Sequence, residues 1–184
     1  EEGLAAKNFI GDAFSNEMKA DVIKYIKEEF GGKIDLLIYS LASGMRTDPK
    51  DGVTYRSALK STKEEIVGPS INIEKDAMEE TTMGVATPEE IQSTVKVMGG
   101  EDWKLWVDAL DEAGVLTDGF KTVAYSYLGP KVTYGIYKDG TIGAAKRDLE
   151  HTSDVLNDFL KKKYNGEAYV SLSKALMTKA SAVI

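Results

Sequence analysis

The sequence predicts an α/β fold built on a parallel sheet, and three neighbouring stretches carry this prediction. Residues 34–39 form a near-continuous apolar run, which is typical of a central parallel strand covered on both faces. Residues 17–30 place apolar side chains at helical spacing. Residues 5–14 contain a further short strand that we expect before this helix. Strand, helix and strand with tight connections predict a right-handed βαβ unit.

The first helix has recognisable ends, and the two strands around it end at chemically useful positions. Ser15 or Asn16 can cap the helix, and a pair of glycines at 31 and 32 ends it. In open α/β sheets, ligands bind beyond the carboxyl ends of the strands. Two such ends fall at Asp12-Ala13 and at residues 40–42. Taken alone, Asp12 is a turn residue before a helix, and residues 40–42 permit a cofactor without identifying one.

Residues 44–86 differ from the preceding βαβ unit because they combine turn signals with short predicted strands. A turn signal at 48–52 is followed by two predicted short strands, at 53–59 and 70–73, with Gly68-Pro69 between them. We interpret 44–86 as a β-hairpin insertion and not as a second domain. Arg46 is expected to be a solvated surface residue, with contact to a phosphate of coenzyme A as the alternative.

Two helices are predicted next. Thr87 is an N-cap, with proline in the first turn and Glu90 three residues after the cap. Glycines at 99 and 100 separate this helix from a second one at 101–113. Glu101 and Asp102 are interpreted as carboxylates favoured at a helix start, in preference to an acid-base role. The second helix is expected to turn four apolar side chains inward: Trp103, Trp106, Val107 and Leu110.

Residues 121–146 hold the strongest candidate for chemistry. They predict a strand at 121–127, a turn, a short helix, a break at residues 139–140, and a helix capped by Thr141 that continues to about residue 163. Tyr137 and Lys146 are nine positions apart, which on an unbroken helix is about 900° of rotation and places them on opposite faces. The break allows Lys146 to point back towards the phenol of Tyr137.

A lysine beside a tyrosine has a defined chemical use. The ammonium lowers the phenol pKa, and the phenol then donates to a carbonyl oxygen that is gaining charge. Spacing alone nevertheless favours the ordinary interpretation, a half-buried Tyr137 and a solvated Lys146.

Composition narrows the class of protein. The 184 residues carry a net charge of −7, which argues against a nucleic-acid or anionic-membrane surface. There is no cysteine and one histidine, His151, so we predict no disulfide, no thiol nucleophile and no metal site. No apolar run is long enough to span a bilayer. We expect a cytoplasmic protein, and neither end resembles a natural terminus, so we expect the middle of a longer chain.

Five segments, in order, resemble one enzyme family. The chain is similar over essentially its whole length to the trans-2-enoyl-CoA and enoyl-acyl-carrier-protein reductases of the FabV/TER type, which are large relatives of the short-chain dehydrogenases. The Tyr-x8-Lys spacing of Tyr137 and Lys146 matches their active-site motif. The segments are GDAFS (11–15), DLLIYSLAS (35–43), KVMGGEDW (96–103), AYSYLGP (124–130) and KALMTKASAVI (174–184).

This resemblance implies a fold and a set of roles. The fold is a Rossmann-like doubly wound parallel sheet, truncated at both ends, in which residues 1–184 form one partial domain and 44–86 lie near the substrate mouth. Tyr137 and Lys146 are implied to be catalytic, and Tyr127 to bind the substrate. The residues implied to bind the cofactor are Asp12, Ala13, Leu41, Ala42, Lys146, Leu176, Met177 and Thr178.

The implied reaction is the NADH-dependent reduction of the 2,3 double bond of a trans-2-enoyl thioester, carried by coenzyme A or acyl carrier protein, by a monomeric enzyme. No glycine-rich dinucleotide fingerprint occurs in the sequence, so the preference for NADH comes from the resemblance only. Two alternatives stay open: a carbonyl reductase of the short-chain dehydrogenase type, and a truncated domain without catalytic activity.

Overall fold

The structure, a computed structural model, describes residues 3–41, 43–72 and 75–174. The elements in chain order are α1 (Asn16–Glu28), β1 (Ile34–Tyr39), β2 (Met45–Thr47), β3 (Thr54–Arg56), β4 (Ile66–Asn72), β5 (Ala77–Met83), α2 (Pro88–Met98), α3 (Glu101–Glu112), β6 (Leu116–Leu128), a 3₁₀ turn (Lys131–Thr133), α4 (Tyr134–Tyr137), α5 (Thr141–Tyr164) and β7 (Glu167–Lys174).

A parallel sheet of three strands forms the centre of the described structure. Its order is β1-β6-β7, with the long strand β6 in the middle. Ile38 of β1, Val123 of β6 and Tyr169 of β7 lie side by side in the register. The predicted parallel sheet is therefore confirmed, and the carboxyl ends of its strands lie at one edge.

One face of this sheet carries the core. Trp103 is fully buried, and its indole N–H donates to Thr122 Oγ1 at 2.8 Å. The helices α1, α3 and α5 contribute to the same cluster as the inward side chains of β6 and β7, and the core comprises Ile26, Trp103, Val107, Leu110, Val115, Leu116, Phe120, Ala124, Leu149, Leu156, Leu160 and Ala168. The four side chains predicted to point inward from α3 are all buried.

The alternate side chains of the sheet point to the second face and are half exposed. Leu36 and Ile38 of β1, Tyr125 of β6 and Tyr169 of β7 each expose between 47% and 52% of their surface. Parallel sheets are normally covered on both faces. In the part of the chain that the structure describes, the helices in the core cluster therefore cover one face of the sheet.

The helix caps follow the sequence signals. The Ser15 hydroxyl accepts the Met18 N–H at the start of α1. At the start of α2, Thr87 and Glu90 form a reciprocal capping box, in which each side chain accepts the backbone N–H of the other residue. These two helix starts are confirmed.

The strand predicted within residues 5–14 was wrong. Residues 4–10 belong to no β-ladder, and the Ile10 side chain is 98% exposed. Phe9 instead packs edge-on against Tyr25 of α1, with the ring centroids 5.7 Å apart. An apolar stretch becomes a strand only where a neighbouring strand pairs with its backbone, and the described residues provide no such neighbour here.

The segment 44–86 contains two hairpins, β2–β3 and β4–β5. Gly68 and Pro69, predicted to separate two strands, instead lie within β4 opposite Thr81 and Glu80. Proline is found in sheets mainly on edge strands, and both strands of a two-stranded ribbon are edge strands. None of the helices in the described ranges has the length and apolarity needed to cross a lipid bilayer.

Candidate active site

The candidate site lies where β6 ends and α5 begins. Tyr127 is the penultimate residue of β6, Tyr137 the last residue of α4, and Lys146 lies in the second turn of α5. The two tyrosine rings meet edge to face, with centroids 5.7 Å apart. The Lys146 ammonium lies 3.7 Å from the Tyr127 ring centroid and 5.8 Å from that of Tyr137. The structure thus brings together the three residues that the sequence singled out.

The break in the helix makes this meeting possible. α4 ends at Tyr137, Gly140 is extended, and α5 starts at Thr141. The predicted capping role of Thr141 was wrong, because Gly140 occupies the N-cap position without a side-chain cap. The Thr141 hydroxyl is directed away from its own helix and donates to the Ala58 carbonyl. The break predicted at residues 139–140 covers residues 138–140 in the structure and, as predicted, lets Lys146 face the two phenol rings.

Lys146 is fixed more closely to Tyr127 than to Tyr137. Its ammonium donates to the Tyr127 carbonyl oxygen at 2.5 Å and lies over the face of the same ring. Both contacts favour a cation, the first by a charge-assisted hydrogen bond and the second by the ring quadrupole. The end of β6 therefore positions the ammonium, and the phenol of Tyr137 approaches it from α4.

Burial changes the titration of two of these groups. Burial lowers the pKa of Lys146 below the usual lysine value, while the carboxylate of Glu150 acts in the opposite direction. Burial also raises the pKa of the Tyr127 phenol, and Tyr137 adds to this increase. Tyr127 is therefore protonated at neutral pH and can donate a hydrogen bond to a carbonyl oxygen.

A cleft of about 270 Å³ lies at the carboxyl end of β1. Ala13 and Leu41 both line it, together with Trp106, whose indole N–H donates to the Ala13 carbonyl at 3.1 Å. The structure thus brings together two of the residues implied to bind a cofactor. Asp12 is used locally, since its carboxylate accepts the Phe14 N–H at 2.9 Å.

The size and lining of this cleft suit one part of a dinucleotide. Small-molecule sites typically enclose roughly 300–1,000 Å³, so the described cleft has room for only a part of a dinucleotide. Ala13 leaves the backbone accessible, and Leu41 with Trp106 provides apolar walls.

Ala42, Leu176, Met177 and Thr178 lie outside the described residues. Among the side chains that are described, no group of three or more His, Cys, Asp or Glu is placed to hold a metal ion.

Comparison with known proteins identifies the family. The family model for the trans-2-enoyl-CoA reductase catalytic region matches residues 1–184. The chain belongs to this reductase family. Among relatives, the chain is 59% identical over 182 residues to an NADH-dependent enoyl-[acyl-carrier-protein] reductase of Photobacterium profundum, covering 99% of the chain and 45% of that protein. It is 57% identical over 183 residues to the trans-2-enoyl-CoA reductase [NADH] of Clostridium beijerinckii, covering 100% and 46%.

A solved structure supports the same family and the fold. The trans-2-enoyl-CoA reductase of Clostridium acetobutylicum, crystallised with NADH, superposes with a TM-score of 0.94 at 51% identity, covering all of this chain and 46% of that one. The Rossmann-like fold class predicted from the sequence is therefore confirmed. The chain spans a little under half the length of these reductases.

Arg46 was placed wrongly from the sequence. It is 1% exposed, and its guanidinium pairs with Glu101 at 3.0 Å and with Asp48 at 3.6 Å. It also donates to the Lys96 carbonyl at 2.7 Å. An arginine next to a predicted turn carries no local signal of burial, because Glu101, the acidic partner in its shorter ion pair, lies at the start of α3, 55 residues away. Arg46 therefore links the insertion to α3.

Asp102 is also more than a helix-start carboxylate. It is 2% exposed, accepts Lys19 Nζ at 2.9 Å and the Tyr39 hydroxyl at 3.2 Å, and so joins α1 and β1 to α3. Burial raises the pKa of Asp102, and the Lys19 ammonium opposes this effect. Lys19 also donates to the Phe14 carbonyl at 2.8 Å, next to Ala13 in the wall of the cleft. No local pattern in the sequence predicts this buried network, because its members are far apart along the chain.

Proposed function

We propose that this chain supplies the proton-donating and carbonyl-binding part of an NADH-dependent reductase of trans-2-enoyl thioesters. The observation that carries the proposal is the meeting of Tyr127, Tyr137 and Lys146 in a chain of this reductase family. The names of the relatives support NADH as the reductant and either coenzyme A or acyl carrier protein as the thioester carrier.

The two tyrosines divide the work at the thioester. Bound NADH supplies a hydride to C3 of the 2,3 double bond. The electron pair of that double bond moves towards the carbonyl, whose oxygen becomes an enolate oxygen. Tyr137 donates its phenolic proton to this oxygen, and tautomerisation of the resulting enol places a proton on C2, which completes the reduction. Tyr127 holds the carbonyl with a hydrogen bond, consistent with its raised pKa.

Lys146 keeps the site positively charged. Its ammonium lies beside both rings and favours negative charge as it develops on the Tyr137 phenol. In the same proposal, Lys146 also holds the ribose of the cofactor. The hydrogen bond to the Tyr127 carbonyl supports this role, because it fixes the ammonium at the end of β6.

The cofactor would lie along the carboxyl edge of the sheet. Ala13 and Leu41 would hold its adenosine half in the cleft beside Trp106. Asp12 and Ala42 complete this set in the proposal, and Leu176, Met177 and Thr178 hold the nicotinamide end. Family membership supports all of these proposed assignments, and the position of the cleft supports those of Ala13 and Leu41.

The insertion would lie near the substrate mouth, within one partial domain that comprises residues 1–184. Two contacts support this location. Thr62 donates to the Asp139 carbonyl, and the Ile66 side chain lies so close to Gly135 that a Cβ there would meet it at 2.8 Å. The base of the second hairpin is thus beside α4, which ends in Tyr137. Family resemblance further suggests a monomeric, cytoplasmic enzyme, which light scattering and cell fractionation test.

The experiment is a substrate comparison with the full-length protein. NADH oxidation is followed at 340 nm with crotonyl-CoA, crotonyl-acyl-carrier-protein and a simple ketone. The proposal predicts oxidation with one or both thioesters and none with the ketone. Oxidation with the ketone alone would favour a carbonyl reductase of the short-chain dehydrogenase type. No oxidation by a folded protein would favour a non-catalytic domain.

A further inference from the structure

The break between α4 and α5 is held from outside by residues 58–62 of the insertion. The Thr141 N–H donates to the Lys60 carbonyl at 3.0 Å, and the Lys60 N–H donates to Thr141 Oγ1 at 3.2 Å. The Thr141 hydroxyl donates to the Ala58 carbonyl. Thr141 is fully buried. One threonine therefore makes a two-way connection between the insertion and the first residue of α5.

The packing at the break leaves no room for a side chain at Gly140 or Gly143. A Cβ on Gly140 would lie 2.6 Å from the Lys60 carbonyl oxygen. A Cβ on Gly143 would lie 1.8 Å from the Lys138 carbonyl oxygen, so the start of α5 is pressed against the end of α4. The atoms that a Cβ would meet at these positions are backbone carbonyl oxygens, which cannot move aside as a flexible side chain can. The close backbone packing at residues 138–143 therefore requires glycine at both positions.

The holding segment is itself anchored on a rigid helix. The Ala58 N–H donates to Thr94 Oγ1 at 3.0 Å, and Thr94, on α2, is fully buried. Thr94 also donates to the Glu90 carbonyl of its own helix at 2.8 Å. The chain of contacts runs from α2 through Ala58 to Thr141, and from there to the break that orients Tyr137.

This connection matters because α4 cannot hold Tyr137 alone. α4 has four residues, and a single helical turn is unstable without tertiary contacts. The angle between Tyr137 and Lys146 depends on residues 138–140 remaining non-helical, since a continuous helix would rotate the phenol to the opposite face. Displacement of a catalytic group by about 1 Å can cost on the order of 100-fold in rate.

We propose that Thr141 is a positioning residue for Tyr137: its hydroxyl and N–H join the insertion to the helix break and so set the phenol towards Lys146. The inference rests on the proposed reductase function and adds to it a second role for the insertion, which here fixes catalytic geometry. Thr141 itself touches neither substrate nor cofactor in this account.

The test compares three variants of the full-length enzyme. Thr141→Val removes the hydroxyl at nearly constant volume, Thr141→Ser keeps it, and Thr122→Val removes another fully buried hydroxyl that lies away from the break. Thr141→Val is expected to lower kcat with crotonyl-CoA by roughly 10- to 100-fold. Thr141→Ser restores kcat to near wild type, Thr122→Val leaves it unchanged, and NADH affinity, measured by fluorescence quenching, stays the same in all three.

A double variant separates positioning from a direct effect. If Thr141 acts through Tyr137, adding Thr141→Val to Tyr137→Phe lowers turnover no further. A further loss of similar size in the double variant would overturn the proposal, as would wild-type kcat in Thr141→Val. If Thr141→Val does not fold, Thr94→Val, which removes the hydroxyl that anchors Ala58 and through it Thr141, must lower kcat in the same way, and wild-type kcat there overturns the proposal.

Failure of the underlying function gives a different pattern. Wild-type turnover in a folded Tyr137→Phe variant would remove the proton-donor assignment, whatever the Thr141 variants show. Loss of turnover in Tyr137→Phe together with wild-type turnover in Thr141→Val would leave the function intact and contradict only the positioning role.

Discussion

The chemistry of this site depends on the position of the Lys146 ammonium, which two contacts with Tyr127 fix. Lys146 is bound to a backbone carbonyl at the end of a strand and lies over the ring of the residue that owns that carbonyl. This arrangement keeps the charge at a fixed point next to two phenols. Burial makes the charge costly and lowers the Lys146 pKa, and Glu150 partly offsets the effect.

The pH dependence of turnover follows from that balance. The active form of Lys146 is the ammonium, so turnover is lost as pH rises through its pKa, which lies below that of a free lysine. Glu150→Gln removes the group that raises this pKa and is expected to move the alkaline limb of the kcat profile to lower pH. Asp154→Asn, one turn further along the same exposed side of α5, serves as the control. An unchanged limb in Glu150→Gln would contradict this role of Lys146.

Tyr127 and Tyr125 offer a matched pair on one strand. Both are on the same face of β6, but only Tyr127 contacts Lys146 and Tyr137. Tyr127→Phe removes one hydrogen bond to the thioester carbonyl, worth about 1.4 kcal/mol, and is expected to lower kcat/KM for crotonyl-CoA about tenfold. Tyr125→Phe should match the wild type in the same steady-state assay. Equal effects of the two substitutions would contradict the assignment of Tyr127.

At the scale of secondary-structure elements, the tight start of α5 is the decisive feature. Gly143→Ala places a methyl group against the Lys138 carbonyl and must shift backbone. We expect a loss of about 1–3 kcal/mol in unfolding free energy and a clear fall in kcat, measured by denaturant titration and by NADH oxidation. Gly68→Ala, where a Cβ meets nothing within 4 Å, should change neither. A fully active Gly143→Ala variant would show that the break tolerates movement.

The elements also show what local sequence determines. The caps at Ser15 and Thr87 were predictable because capping is a contact between residues three apart. The break before α5 was predictable from Asp139-Gly140. The partner of Thr141 was not, because its hydroxyl bonds a carbonyl 83 residues away. The strand predicted at residues 5–14 was wrong for the same reason. A strand needs a neighbouring strand to pair with, and the apolar pattern of a segment does not show whether one is present.

On the scale of the whole molecule, buried ion pairs connect the parts of the fold that surround the site. Lys19, Asp102 and Tyr39 join α1, α3 and the end of β1, and Arg46 joins the insertion to α3. The proximity of Tyr137 and Lys146 was predictable from a family motif. The burial of these charges was not, because each partner lies on a different element and appears polar in its local sequence.

Removing one member of a buried pair leaves the other uncompensated. Asp102→Ala is expected to reduce the unfolding free energy by about 3–5 kcal/mol. Lys19 is 4% exposed, so water cannot replace the carboxylate as the partner of its ammonium. Asp108→Ala, on the same helix, breaks an exposed pair with Lys104 and should cost about 0.3–0.5 kcal/mol. Urea unfolding followed by circular dichroism compares the two. Similar small losses would mean that the buried pair contributes little.

The proposed reaction requires Tyr137 as the proton donor, and a single substitution tests this role. Steady-state oxidation of NADH with crotonyl-CoA is compared for the full-length wild type, Tyr137→Phe, and Tyr134→Phe, which alters another tyrosine of α4. We predict that Tyr137→Phe lowers kcat by on the order of 10²–10³ while folding and NADH affinity are retained, and that Tyr134→Phe matches the wild type. Wild-type turnover in a folded Tyr137→Phe protein would show that Tyr137 is not the proton donor.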